Sequence, residues 1–403
     1  SSRASAASRF RTEIDETGKT VSVHFSEDMP PRIAVWRPHL GCAQLPIGAS
    51  MDAAKLLKRI PASVKAPNLD AAAWPMGDKD ATAALPAAQA GALASVLDEA
   101  FKGQAGTYRG DTWGVLVIKD GKIVAERYGA GFGPHISART NSMCKSLGSS
   151  IVGVGVRKGL VDIHKKAPLA EWRRPGDPRG EITLNNLLHM ASGLYTEAAG
   201  NPQGDLYQAG AAAAEVSALN MVDSRPGSRF VYAGSDTILA VRAVRQAVGD
   251  DQAFLSFPHR ELMWKIGMTR TLMETDWNND FLASGQCWST ARDFGRFGLL
   301  YLNDGVWNGE RLLPKGWAQY VSTPAPAQPA SRASGGAAYG GQFWIYGGID
   351  GLVDGAYSPN GALGQYAMII PSKNVIVVRR GLDAGPGFRI AKFSADVLAA
   401  MGL

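Results

Sequence analysis

The sequence predicts an α+β fold in which both ends of the chain build one antiparallel sheet and an all-helical lobe is inserted between them. Three observations carry that expectation: two hairpin signals far apart in the chain, a helix-forming stretch beside each, and helical periodicity through the long stretch between. Residues 1–75 show little periodicity and several prolines, as in MPPRIAVWRPHLGCAQLPIG (Met29 to Gly48), and read as an extension packed on the unit that follows. Ala87 to Lys102 (AAQAGALASVLDEAFK) combines good helix formers with apolar residues at helical spacing. In Trp113 to Gly129 (WGVLVIKDGKIVAERYG) two β-rich runs meet at Asp120-Gly121, a dipeptide suited to a two-residue hairpin turn. Helical patterns then cover Ser142 to Lys158, Thr183 to Met190, Ser235 to Val248 and Thr290 to Leu302. GQYAMII (Gly364 to Ile370) and VIVVRR (Val375 to Arg380) flank Pro371-Ser372-Lys373-Asn374 as the second hairpin, and Phe388 to Met401 closes the chain as a helix. The division implied is an extension at 1–75, a sheet domain from 76–145 and 335–403, and a helical domain from 146–334. A site belongs in the cleft between the last two.

Composition narrows the functions. At 45% hydrophobic and 19% charged, the 403 residues have an ordinary globular make-up. The net charge of +6 is scattered, with clusters such as HKK (His164 to Lys166) and WRRPGDPR (Trp172 to Arg179) too sparse for a nucleic-acid footprint, so no nucleic-acid partner is expected. No apolar run approaches the roughly 20 residues of a membrane span; IVGVGV (Ile151 to Val156) is typical of the longest. The chain opens SSRASAASRF without a methionine, which suggests a removed leader or trimming and hence a periplasmic or secreted protein, with the cytoplasm as the alternative. Three cysteines, Cys42, Cys144 and Cys287, permit at most one internal disulfide and leave open which pair forms it. Six histidines without HExxH or paired Cys/His spacing point to no metal site.

The chemistry-bearing stretch is TNSMCKSLGSS, Thr140 to Ser150. Residues three apart share one helix face, so Ser142 and Lys145 can touch while Met143 and Cys144 point elsewhere. Serine becomes a nucleophile when a base takes its proton, and a lysine serves if burial lowers its pKa from ~10.4 toward neutrality. After Lys145 the helix runs small and apolar with no charge until Arg157, as a helix through the middle of a protein does. Its start also offers unpaired N–H groups and the positive end of the dipole to a developing oxyanion. GVGVRKG (Gly153 to Gly159) has the wrong spacing and context for nucleotide binding, and Cys144 has no histidine nearby in sequence to make it a rival nucleophile.

Further segments extend the pattern: ITLNNLLHMASGL (Ile182 to Leu194), PGSRFVYAGSDTILA (Pro226 to Ala240), STARDFGRFGLLYLNDGVWNGERLLP (Ser289 to Pro314) and NGALGQYAMIIPSKNVIVV (Asn360 to Val378). Together with SMCKS they make the chain, from about Trp113 on, resemble the class C β-lactamase and DD-peptidase superfamily of serine hydrolases, closest to its 6-aminohexanoate-dimer hydrolase and esterase-like branch. The resemblance implies the β-lactamase/transpeptidase-like α/β/α sandwich with a helical lobe, and no metal or organic cofactor. The superfamily's Tyr-x-Asn element looks like Tyr232-Ala233-Gly234, where the tyrosine stands and Gly234 replaces the asparagine. Tyr232 would relay a proton to the leaving group. A literal Tyr-x-Asn at Tyr301-Leu302-Asn303 ends an amphipathic helix and reads as a core tyrosine with a C-terminal cap. The third element falls on Ala362-Leu363-Gly364, without its cationic or imidazole side chain; Gly364 would admit substrate to the strand edge, and the N–H of Gln365 would join that of Ser142 as oxyanion hole. These departures argue against recognition of a β-lactam or cell-wall carboxylate and leave acyl transfer intact. His189, in the LLHMASGL turn, reads as structural. Trp344 and Tyr346 are candidates for holding an apolar substrate, although Phe-Trp-Ile-Tyr is equally a half-buried strand. The expected partner is a small or short oligomeric amide or ester; a carboxylesterase, a D-amino-acid peptidase and a non-catalytic penicillin-binding-like sensor are the alternatives.

Overall fold

The computed structural model describes residues 10–196, 210–334, 336–385 and 387–403. Residues 10–75, expected as an irregular extension, open instead with a four-stranded antiparallel meander of β1 (Arg11–Asp15), β2 (Thr20–His24), β3 (Arg32–Arg37) and β4 (Gly41–Gln44). Alternation in β3 and β4 turns Ile33, Val35 and Ala43 inward onto Leu45 and Leu57, a small core that strands this short conceal in the sequence. Arg37, fully buried, ties the meander to the rest of the molecule by donating to Lys58 O at 2.7 Å, Asn279 Oδ1 at 3.0 Å and the hydroxyl of Thr275.

Beyond it come α1 (Ala87–Ala100) and the hairpin of β5 (Thr112–Lys119) and β6 (Lys122–Tyr128), whose turn residues Asp120 and Gly121 have φ of 47° and 79°. The short β7 (Ala138–Arg139) leads into α2 (Met143–Arg157). The helical lobe follows with α3 (Leu184–Leu188), α4 (Ala213–Ala218), α5 (Gly234–Val248) and α6 (Asp251–Pro258). Next are β8 (Leu272–Met273) and β9 (Cys287–Ser289), then α7 (Ala291–Leu302), a small hairpin of β10 (Val306–Trp307) and β11 (Glu310–Arg311), and α8 (Trp317–Ser322). The chain ends with β12 (Ala338–Tyr339), β13 (Trp344–Ile345), β14 (Tyr357–Ser358), β15 (Asn360–Gly361), β16 (Gln365–Ile370), β17 (Val375–Gly381) and α9 (Ile390–Ala400).

The main sheet is antiparallel in the order β12-β13-β14-β16-β17-β5-β6, with β15 paired to β16, so the first and last hairpins meet where β17 pairs β5. Its period of two separates two cores. Val115, Val117, Val375, Val377, Met368 and Ile370 face Leu93 and Leu97 of α1 and Phe393 and Val397 of α9. Leu116, Ile118, Ile376, Val378 and Ile369 face the other way, onto α7 and the helical lobe. Helix α7 therefore lies on the sheet, although the sequence division put 291–302 in the inserted lobe. The approach is close: a Cβ at Gly298 would stand 2.8 Å from Ile376 Cδ1.

Helix α2 runs through the centre of the molecule, buried from Met143 to Gly155. It packs against α5 at Gly148, where a Cβ would come within 2.8 Å of Thr237 Cγ2. That contact brings the residues preceding α5 to the N-terminal turn of α2.

Candidate active site

Residues 138–145 are held by a ribbon. β7 pairs β9, with Ala138 opposite Ser289 and Arg139 opposite Trp288, and Thr140 N donates to Cys287 O at 2.9 Å. The buried Arg380 braces both strands from the main sheet, donating to Ser289 O at 2.8 Å and to Ala138 O and Arg139 O at 3.0 Å. Asn141 then takes a left-handed φ of 48°, which turns the chain so that Ser142 starts α2 half-buried at its N terminus.

Lys145 reaches back along the same face, placing Nζ 3.3 Å from Ser142 Oγ. It donates to Ser284 O at 2.7 Å and lies 4.8 Å from the centroid of the Tyr232 ring. Among the described residues no carboxylate pairs with it, and burial lowers its pKa to about 7 from an ordinary 10.5. An amine so placed is poised to be neutral near physiological pH, which is what a base for serine requires. Tyr232 is fixed edge-on against Tyr339, at 5.8 Å and 88°, and 5.7 Å from Trp344. Gly234 begins α5 and is buried, two residues after Tyr232. Ser142, Lys145, Tyr232 and Trp344 are thus brought together from α2, the loop before α5 and β13.

Other expected site residues stand elsewhere. Tyr346 packs with the core under α1 and α9, its hydroxyl accepting from Asn360 Nδ2. Residues two apart on a strand share a face, but β13 ends at Ile345, so strand alternation does not carry Tyr346 to the side of Trp344. Gln365 is buried, its side chain accepting from Arg380 Nε at 2.8 Å and donating to Gly381 O. Gly364 abuts Arg379 and Asp383. The strand beside the nucleophile turn is β15: a Cβ at Gly361 would fall 2.1 Å from Thr140 O, and Ala362 O accepts from Asn141 Nδ2 at 2.8 Å. Counting along the sequence overshot because Ala362 to Gly364 form the turn into β16, so a shift from residue 362 to 365 crosses to the next strand. Two glycines in NGALGQ gave no basis for choosing between them.

His189 caps α3, buried with its ring 5.2 Å from that of Tyr320 and its pKa lowered by burial to about 4. Tyr301 is a core residue of α7, and Asn303 follows that helix as its cap. Sequence reasoning missed Ser284, whose contribution is a backbone carbonyl, as well as Asn141 and Arg380; the positive φ of Asn141 is the one with a residue-type signal, since asparagine tolerates it. It also missed Gln342, buried with φ of 70°, which donates to Leu187 O and Leu188 O, accepts from Thr237 Oγ1 at 2.7 Å, and accepts on its own carbonyl from Ser146 Oγ at 2.6 Å. That residue stitches α2, α3 and α5 to the sheet behind the site. Among the described residues no group of three or more His, Cys, Asp or Glu could hold a metal. A cavity of about 1090 Å³ lined by Asp162, Lys165, Arg173 and Arg242 shares no residue with the serine–lysine cluster.

A family model described as Beta-lactamase matches residues 97–380. The 6-aminohexanoate-dimer hydrolase of Paenarthrobacter ureafaciens is 24% identical over 286 residues, which is 66% of this chain and 71% of that protein. A family VIII carboxylesterase shares the fold with a TM-score of 0.62 at 14% identity, covering 79% of this chain and 98% of the other. A penicillin-binding protein homologue from Caulobacter crescentus does so with a TM-score of 0.59 at 13% identity, covering 79% and 99%.

Proposed function

The chain belongs to the beta-lactamase family of serine hydrolases, and from that premise we propose that it cleaves a linear amide bond through an acyl-serine intermediate, in the manner of an aminohexanoate-oligomer hydrolase. The observation that carries the reading is the neutral-poised amine of Lys145, 3.3 Å from Ser142 Oγ and facing no carboxylate among the described residues. In this reading Lys145 takes the Ser142 proton as Oγ adds to the substrate carbonyl. The tetrahedral oxyanion lies against the N–H of Ser142 and that of Ala362, which replaces Gln365 because Ala362 adjoins Asn141. Tyr232 passes the proton to the departing amine, the C–N bond breaks, and water then hydrolyses the ester on Ser142 by the same route in reverse. Each step uses side chains and backbone of this chain alone. The rings of Tyr232 and Trp344, backed by the buried Tyr339, suit an apolar acyl or amine segment.

Likeness in fold to a carboxylesterase supports a second reading, an esterase on the same site. The two are separated by kcat/KM on matched p-nitrophenyl esters and linear aminohexanoate amides, with a β-lactam as third substrate. Mass spectrometry of the trapped acyl-enzyme should find the label on Ser142. A label elsewhere, or acylation without turnover on every substrate, would replace the hydrolase with another nucleophile or with a sensor. No helix among the described residues is long and apolar enough to cross a membrane. A disulfide joins Cys144 to Cys287 inside the catalytic unit, and we read it as the mark of an oxidising compartment, the periplasm or the exterior.

A further inference from the structure

The Cys144–Cys287 disulfide joins the first turn of the serine–lysine helix to β9. Cys144 stands between Ser142 and Lys145, in the first turn of α2, and Cys287 is in β9, three residues after Ser284. Both are fully buried, and their Cα atoms are 5.6 Å apart. Four connections then cross between the nucleophile turn and the 284–287 segment: Arg139 Nε to Gly285 O at 3.3 Å, Thr140 N to Cys287 O at 2.9 Å, the Cys144–Cys287 bond, and Lys145 Nζ to Ser284 O at 2.7 Å. Ser142 sits within the span they enclose. One of these rungs is covalent.

We propose that the Cys144–Cys287 disulfide is a positioning device for the base: it holds the Ser284 carbonyl against Lys145, so that the amine stays sealed from water with its lone pair toward Ser142. The inference rests on the hydrolase reading. A hydrogen bond between a flexible four-carbon side chain and a loop carbonyl does not by itself fix the loop. The 284–287 segment is otherwise held by hydrogen bonds, among them Arg139 Nε to Gly285 O, Thr140 N to Cys287 O, Gly285 N and Gln286 N to Leu282 O, and Glu274 N to Gln286 O. With the covalent rung cut, 284–287 gains freedom, water reaches the amine, and the amine regains the proton that burial denies it. Ser142 and Lys145 remain in place on one helix turn, so substrate binding is spared while proton transfer suffers. The groups facing Lys145 are Ser142 on its own helix, Ser284 from the segment before β9 and Tyr232 from the loop before α5; none is a carboxylate.

The test begins with thiol titration of the wild-type protein denatured without reductant. One reactive thiol, Cys42, is expected, and three would overturn the proposal at once. Hydrolysis of a p-nitrophenyl ester is then followed against pH for wild type, the Cys42→Ala control and the Cys144→Ala/Cys287→Ala double variant. The double variant should lose about tenfold or more in kcat with KM within about twofold, and its rising kcat/KM limb should move up by about half a pH unit or more. To separate this from a cavity effect, wild type is also refolded and assayed under dithiothreitol, whose two thiols become a cyclic disulfide as Cys144 and Cys287 each gain a proton and an electron. That chain has no residue removed and should show the same displaced limb. An unmoved limb in both samples, or kcat and folded fraction falling together with the limb in place, overturns the positioning role. An inactive wild type with no label on Ser142 would instead remove the hydrolase reading and this inference with it.

Discussion

Ser142 and Ser150 lie about two turns apart on α2, and each keeps company with a tyrosine. At Ser150 the partnership is direct: its Oγ is 2.7 Å from Tyr301 Oη, and it also donates to Ser146 O at 2.8 Å. Both side chains are sealed in the core, and burial pushes the Tyr301 phenol well above its ordinary pKa. Ser142 is half-buried, and what stands beside it is an amine poised near neutrality, with the Tyr232 ring behind that amine. Two hydroxyls in contact make glue between α2 and α7. Reactivity at the other end of the same helix needs a base whose charge has been removed by burial, and a path for substrate.

The sharpest way to break this contrast is to remove each hydroxyl. Ser142→Ala should abolish turnover and active-site labelling, a loss of at least about 10⁴ in kcat, with Tm nearly unchanged. Ser150→Ala should keep kcat within about twofold and cost about 1–3 kcal/mol of stability, because it leaves a buried tyrosine hydroxyl short of a partner. Turnover by a well-folded Ser142→Ala protein would end the acyl-serine mechanism.

Next in size are the tyrosines. Tyr232→Phe keeps the ring against Lys145 and deletes the proton relay, so kcat should fall by about 10²-fold or more at constant KM. Tyr301→Phe should do the reverse, lowering Tm without touching kcat. Equal kinetic effects from the two would mean that Tyr232 acts through packing alone.

These pairs also mark how far the sequence reached. Hairpins, long helices and the inserted-lobe layout were legible because alternation, the Asp-Gly turn and helical spacing are local signals. The core place of Tyr301 is legible too, since an amphipathic helix predicts a core tyrosine. The β1–β4 meander escaped because its strands span six residues at most and prolines stand in the connections between them. The layer of helix α7 is not legible, because an apolar stripe does not say which surface covers it. The β15 edge and the Ser284 carbonyl were out of reach for a related reason: a two-residue strand has no period, and a backbone acceptor has no residue type. Nor does cysteine spacing reveal that residues 143 apart in sequence meet beneath the nucleophile.

A smaller effect, in pH, tests the amine itself. Activity should rise with pH through about 7 as Lys145 loses its proton. Stability carries the same signature with a definite sign. The folded state releases the Lys145 proton near 7 and the unfolded chain keeps it to its ordinary 10.5, so the unfolded state binds more protons between those values and this group makes stability rise with pH across that window. Lys145→Met should flatten the rise while cutting kcat by about 10²–10⁴-fold. A retained rise would assign it to another group.

The smallest effect concerns a buried acid near the site that plays no part in the chemistry proposed. Asp236, in the first turn of α5, accepts from Ser192 Oγ at 2.9 Å, and burial raises its pKa from 3.8 to about 7. Here the folded state holds the extra proton between those values, so this group makes stability fall as pH climbs from 3.8 to about 7, with the cost undiminished above. The window adjoins that of Lys145 without overlapping it, and the slopes are opposite. Asp236→Asn keeps an acceptor for Ser192 and deletes the charge. Its Tm should match wild type near pH 4, exceed it by roughly a few degrees near pH 8, and leave the kcat/KM limb where it was. If the limb moves with Asp236, the carboxylate is coupled to the amine across the lobe interface, and burial alone would no longer account for the neutral base beside Ser142.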